Sequence, residues 1–240
     1  LDSEEPPVTE AVIVAAARTP IGRAFKGSIK DIRPDDLSAQ VIQAALAQVP
    51  DLDPALIEDL YWGAADHTGK AGGNVARVIA VLLGFDHLPA VTINRYCASS
   101  VQTTRMAYHA IKASEGEVFI SGGVESVSQY TSFLGAGGIY ESDHNPVFAA
   151  AKDRSAAMAA DNVTWTDPRL EGLLPDVYLS VGQTAENVAT SRGITRARQD
   201  EWAVTSKKPL AMASGFFAAD ISPVTCPDGT VVSADDGPRA

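Results

Sequence analysis

Apolar positions along this chain alternate between strand-like and helix-like spacing, and that alternation predicts the fold. Ala11-Val12-Ile13-Val14-Ala15-Ala16 is a continuous apolar run of strand length, the pattern of a strand covered on both faces. A loop marked by Pro20, Gly22 and Gly27 follows. Leu37, Val41, Ala44 and Ala45 then make a helical stripe behind Pro34-Asp35-Asp36, which offers an N-cap. A second strand is expected from about Ile57 to Ala64, and a helix over 72–84 carries Val75, Ile79, Leu82 and Leu83. From Val91 to Arg95 side chains alternate in a third strand. Beyond Cys97, Val101, Thr104, Tyr108 and Ile111 recur at helical spacing, with small residues on the other faces. Val118-Phe119-Ile120 is the fourth strand. Strands alternating with helices predict an α/β fold, a mostly parallel sheet with helices on both faces.

Past Glu125 the texture changes. Residues 1–10 are acidic and proline-containing, the composition of a disordered arm. Residues 11–125 make the α/β domain, and 126–240 read as an insertion, of which 132–178 keeps neither period for long. Gly135, Gly137 and Gly138 suit a flexible turn there. Helices are expected from about Val181 to Ser191 and from Thr195 to about Ser214, the second kinked or divided at Pro209. Ile221 to Val232, turning at Asp228-Gly229, reads as a hairpin.

Composition narrows the function. With 240 residues, 45% hydrophobic and 20% charged, the chain has room for a substantial core. A formal charge of −11 argues against nucleic acid as partner, since phosphate neutralisation needs a cationic surface. No stretch has the length and apolarity of a membrane span, and two lone cysteines give no disulfide framework, which points to the cytoplasm. Four scattered histidines form no metal-ligand set with them.

The candidate chemistry is at Cys97, where a strand ends and a helix begins. Unpaired first-turn N–H groups and the positive end of a helix favour a thiolate over a thiol. A cysteine so placed is a candidate nucleophile; the alternative is a small buried hydrophobe, the commoner fate of a free cysteine. Its site at a strand's carboxyl end is where open α/β sheets put their ligands. Cys226, in the hairpin with no helix behind it, reads as structural.

Five motifs, in order, carry a resemblance across nearly the whole chain. They are Ala17-Arg18-Thr19-Pro20-Ile21-Gly22, Gly73-Asn74-Val75-Ala76-Arg77, Thr92-Ile93-Asn94 leading to Cys97, Gly122-Gly123-Val124-Glu125-Ser126-Val127-Ser128, and Gly182-Gln183-Thr184-Ala185-Glu186-Asn187. With Asp235-Asp236-Gly237-Pro238-Arg239 they resemble the N-terminal half of the thiolases. Asn94-Arg95-Tyr96-Cys97 and Ser100 to Arg105 look most like the bacterial thiolases that shorten sterol side chains.

The resemblance implies a thiolase-like fold of which only the N-terminal half is present, with 126–240 as the loop domain that covers coenzyme A. It implies acyl transfer from a 3-oxoacyl-coenzyme A through an acyl-Cys97 intermediate, with the Cys97 N–H as an oxyanion donor. Coenzyme A is then a substrate, no cofactor is permanently bound, and the assembly is a homodimer or homotetramer. The chain also departs from the family. Thiolases carry a second half with an asparagine, a Gly-His-Pro histidine and a second cysteine, and none of those motifs occurs here. Ser180 and Val181 stand where many relatives place a His-Met pair beside coenzyme A, and are the cofactor-binding candidates. His67, His87, His109 and His144 sit in no catalytic motif; His109, twelve residues after Cys97, is about 18 Å along a helix from it. Two alternatives remain: a truncated, non-catalytic thiolase-like subunit that binds acyl-coenzyme A or a partner, and a ketoacyl synthase, which the segments at Glu125-Ser126 and Gly182 to Asn187 disfavour.

Overall fold

A computed structural model describes residues 10–130, 143–161, 163–212 and 214–237. It divides into two units, 1–131 with 214–240, and 132–213. The stretch expected as one insertion, 126–240, thus overlaps the second unit over 132–213, while 214–240 groups with the first. The arm at residues 1–9 and the glycines at 135, 137 and 138 lie outside the described residues.

The first unit is built on three parallel strands, β1 (Asp59–Gly63), β2 (Ala90–Ile93) and β3 (Phe119–Gly123), in the order β2-β1-β3. Alternation along β1 sends Leu60 and Trp62 to one face and Tyr61 and Gly63 to the other. On the Leu60 face lie α1 (Pro34–Leu46) and α2 (Val75–Leu82). There Ile42, Leu60, Trp62, Val75, Ile79 and Leu88 form the main core, each stabilising the fold by about 1.5–3 kcal/mol when fully buried. The Trp62 indole N–H donates to Ser38 Oγ at 3.1 Å, which satisfies a buried polar group and ties α1 to the sheet. Pro34 takes the first helical position of α1 rather than its cap. Arg33 is the N-cap and brings no capping side-chain bond.

On the opposite face lies α3 (Ser99–Lys112), close enough that a Cβ on Gly63 would sit 2.8 Å from Ser99 Cβ and one on Gly123 2.4 Å from Ser100 Oγ. Two glycines at strand ends let the start of α3 rest directly on the sheet. Thr103, fully buried, donates to the Gly122 carbonyl at 3.1 Å and fixes the next turn.

The apolar run 11–16 departs from expectation. It joins no ladder, and Val12, Ile13 and Val14 are about 70–80% exposed. The Gln48 side chain accepts from the Ala16 N–H and donates to its carbonyl, and Arg18 makes a single parallel bridge to Ile221. A cavity of about 640 Å³ has Ile13, Ala15 and Ala17 in its lining together with Ile120, Gly122 and Val124 from β3 and its C-terminal end. The run is strand-like in composition, but a pattern of apolarity does not supply the ladder partner a strand needs.

The tail of the first unit holds α7 (Ser214–Asp220) and a short antiparallel pair, β4 (Val224–Thr225) with β5 (Val231–Val232), turning at Gly229, whose φ of +85° favours glycine. The second unit carries α4 (Ala149–Ala160), α5 (Val181–Arg192) and α6 (Arg196–Met212). The last runs through Pro209 to Met212 as one helix, so of the kink or division expected at Pro209 the division does not occur.

Candidate active site

The three parallel strands end together, and the loops that leave them make the site. Cys97 is exposed on the turn between β2 and α3, two residues before the helix begins. Ala98, the N-cap of α3, carries no side-chain oxygen to cap the first turn; the Ser99 N–H donates to the Tyr96 carbonyl at 3.0 Å. Tyr96 adopts φ +48°, a left-handed conformation that side-chain-bearing residues adopt at a cost.

Neighbouring side chains hold this turn. Asn94 Oδ1 accepts from the Tyr96 N–H at 2.8 Å. Ser99 Oγ accepts from the Arg95 N–H at 2.8 Å and donates to the Tyr96 carbonyl at 2.6 Å. The other end of the Asn94 amide reaches the loop after β1, donating to the Ala65 carbonyl at 3.0 Å and lying 3.2 Å from His67 Nδ1. The Arg95 guanidinium donates to Gln102 on α3.

Two residues past the end of β3 lies Glu125. Its carboxylate accepts from the Ala65 N–H at 2.7 Å, the Asp66 N–H at 3.3 Å and the Tyr130 hydroxyl at 2.8 Å. Burial, then the hydrogen bond and charge of Glu125, push the Tyr130 phenol up, and the charges of Asp66 and Cys97 act the same way. The phenol therefore stays protonated and donates to Glu125. Asp66 is buried; Oδ1 accepts from the Thr68 N–H and hydroxyl, while Oδ2 has no hydrogen-bond partner.

Ser180 and Val181 belong to the second unit. Ser180 is the N-cap of α5, its side chain accepting from the Gln183 N–H at 3.3 Å, and Val181 is exposed. Thr184 and Asn187, one turn or more further on, line a cavity of about 400 Å³ with Met158, Trp165, Leu173 and Leu179. Of the other histidines, His109 lies on α3 edge-on to Tyr108, His87 packs against Phe85, and His144 stacks on Tyr178 in the second unit. His67 is the histidine that meets the cysteine's turn. Nothing in its local sequence marks it, because the contact joins two loops 27 residues apart. Among the described residues no group of three or more His, Cys, Asp or Glu side chains could hold a metal ion, and no helix is long and apolar enough to cross a membrane.

Comparison with known proteins places this geometry in a family. The family model for the thiolase N-terminal domain matches residues 11–240. A beta-ketoadipyl-CoA thiolase of Acinetobacter baylyi is 36% identical over 239 residues, which is 96% of this chain and 56% of that protein. A 3-ketoacyl-CoA thiolase of Pseudoalteromonas translucida is 36% identical over 230 residues, 94% of this chain and 52% of that protein. The crystal structure of the dimeric peroxisomal thiolase of Saccharomyces cerevisiae is 29% identical with a TM-score of 0.76, over 98% of this chain and 56% of the yeast chain. With the parallel sheet, the cysteine turn at its carboxyl end and this match from residue 11 onward, the chain belongs to the thiolase N-terminal domain family and spans about half the length of the relatives it matches.

Proposed function

We propose that this chain supplies the acyl-accepting cysteine of a thiolase, and that the complete enzyme cleaves a 3-oxoacyl-coenzyme A into acetyl-coenzyme A and a shortened acyl-coenzyme A, or runs the reverse condensation. The observation that carries the reading is Cys97, exposed on a held, left-handed turn against the uncapped start of α3. In the first step the Cys97 thiolate adds to the 3-keto carbonyl. The C2–C3 bond then breaks, and acetyl-coenzyme A departs as its enolate, which takes up a proton. In the second step the thiol of a new coenzyme A gives up its proton and attacks the acyl-Cys97 thioester, returning Cys97 as thiolate. Covalent catalysis thereby divides one hard carbon–carbon cleavage into two thioester steps. First-turn N–H groups of α3 and the N–H of Cys97 are the donors for the transient oxyanion.

Coenzyme A is a substrate in this scheme, with Ser180 and Val181 as its candidate contacts, and no resident cofactor is needed. The enzyme works as a cytoplasmic homodimer or homotetramer. The names of the relatives support beta-ketoadipyl-coenzyme A and 3-ketoacyl-coenzyme A substrates, and the resemblance at Asn94 to Cys97 adds sterol side chains as a third class. Proton transfers between the two steps need groups that thiolases hold in their second half.

Incubating the 240-residue chain with a 3-oxoacyl-coenzyme A and mapping peptides by mass tests this. The expected result is a slowly formed acyl adduct on Cys97 alone, absent in Cys97→Ser, with no steady turnover. Multiple turnover by a chain of verified mass would overturn the need for a second half. A chain that binds acyl-coenzyme A and never acylates would favour a non-catalytic subunit.

A further inference from the structure

We propose that His67 is a positioning residue for the Cys97 turn, acting through Asn94; the inference rests on reading Cys97 as the nucleophile. Tyr96, the residue before the cysteine, is held at φ +48°, and a left-handed residue with a bulky side chain persists only where its surroundings over-determine it. The Asn94 amide is one of those surroundings. A backbone N–H can only donate, so the Asn94 atom that faces Tyr96 N at 2.8 Å is the oxygen, and the other end of the amide is its NH2. That NH2 has two hydrogens and two acceptors within reach, the Ala65 carbonyl at 3.0 Å and His67 Nδ1 at 3.2 Å. In this contact His67 Nδ1 is therefore the acceptor. Of the two acceptors, His67 is the one supplied by a side chain.

His67 can hold Asn94 because its own loop is held. Glu125 accepts from the N–H groups of both preceding residues, Ala65 and Asp66, and Asp66 Oδ1 bonds Thr68 on the other side. The path runs from β3 through Glu125 to the loop after β1, from His67 to Asn94, and from Asn94 to the backbone beside Cys97. If His67 is removed, one Asn94 hydrogen loses its protein acceptor. The amide is then held by the Ala65 carbonyl alone on that side, its bond to the Tyr96 N–H weakens, and the turn that carries Cys97 is less firmly fixed.

The test compares the 240-residue chain with its His67→Ala and His67→Asn variants; in the latter, Oδ1 can take the place of Nδ1 as acceptor. Iodoacetamide alkylation of Cys97 is followed by peptide mapping with Cys226 as internal reference, and the exchange of the Tyr96 amide hydrogen is followed by NMR. With His67→Ala, Cys97 should alkylate about fivefold more slowly and the Tyr96 amide exchange about fivefold faster, the worth of one net hydrogen bond. Cys226 should not change. His67→Asn should restore both to within about twofold of the parent, since the same acceptor returns. Unchanged rates in His67→Ala, no rescue by His67→Asn, or a parallel change at Cys226 would each overturn the proposal. If Cys97 in the parent is no more reactive than Cys226, the nucleophile reading fails instead, and Tyr96 exchange still decides the role of His67.

Discussion

Two cysteines in one chain meet opposite surroundings. Cys226 is partly buried, with Sγ 3.5 Å from the Ser28 carbonyl. Burial pushes its thiol up, and the charges of Asp228 and Asp31 add to the effect, so near neutral pH it remains a thiol. Cys97 is exposed, two residues before α3 begins. Limiting iodoacetamide near pH 7 should therefore label Cys97 about tenfold faster than Cys226, because the thiolate is the reacting species. Equal labelling in folded protein would sink the assignment. Cys97 was legible in the sequence because a change from period two to helical spacing marks its turn locally. Glu125 was legible only as part of a motif, and its role as the acceptor that pins the loop after β1 needs the sheet to bring Ala65 and Asp66 to it. His67 was not legible at all. Its meaning depends on two strand ends lying side by side, which no local pattern encodes.

At the scale of elements, the strands β1, β2 and β3 and the helices α1, α2 and α3 came directly from periodicity, because each strand carries its own alternation or apolar run and each helix its own stripe. What failed was pairing. A run such as 11–16 announces that it is strand-like, while its partner is set elsewhere in the chain. The tail shows how such distant ties are made. Arg18 donates to Asp235 through both terminal nitrogens and to Asp220 through Nε, and Asp236 accepts from the N–H groups of Arg23 and Ser28. The bond from Arg18 holds the Asp235 carboxyl below its ordinary range, and the Ser28 N–H does the same for Asp236. A carboxylate with a depressed folded value contributes stability that is complete above its unfolded value of about 4 and is lost as pH falls through the folded value. Asp235→Asn should cost about 2 kcal/mol at pH 7. At pH 2–3 the difference from the parent should shrink, because the parent's carboxyl is then protonated too. Urea unfolding at both pH values reads this directly, and an equal difference at each would show that the charge of Asp235 is not what ties the tail.

For the whole molecule the decisive feature is the cavity that β3 shares with the apolar run 11–17. β3 ends the strand order, so its outer backbone groups have no ladder partner among the described residues, and Val12, Ile13 and Val14 stand exposed nearby. Leu37 and Val41 from α1 add apolar lining, and Thr104 comes from α3. An unpaired strand edge beside exposed apolar side chains favours association. Asp235 and Asp236, through Arg18, Ile21 and Ser28, bring the tail against the loop that lines this cavity. We expect an extended segment of a further thiolase-like body to pair with β3 there, whether from a second half of the same polypeptide, a second copy or a distinct subunit. The charge of −11 opposes close approach of like chains but is screened beyond about 8 Å at physiological salt, too weakly placed to protect a dry strand edge. Supplied alone, the 240-residue chain should self-associate and bind an apolar dye, and adding the second half of a thiolase should abolish both and slow amide exchange along β3. A monodisperse monomer of 25.2 kDa by light scattering, soluble at high concentration and silent to the dye, would show that the cavity and the edge need no partner.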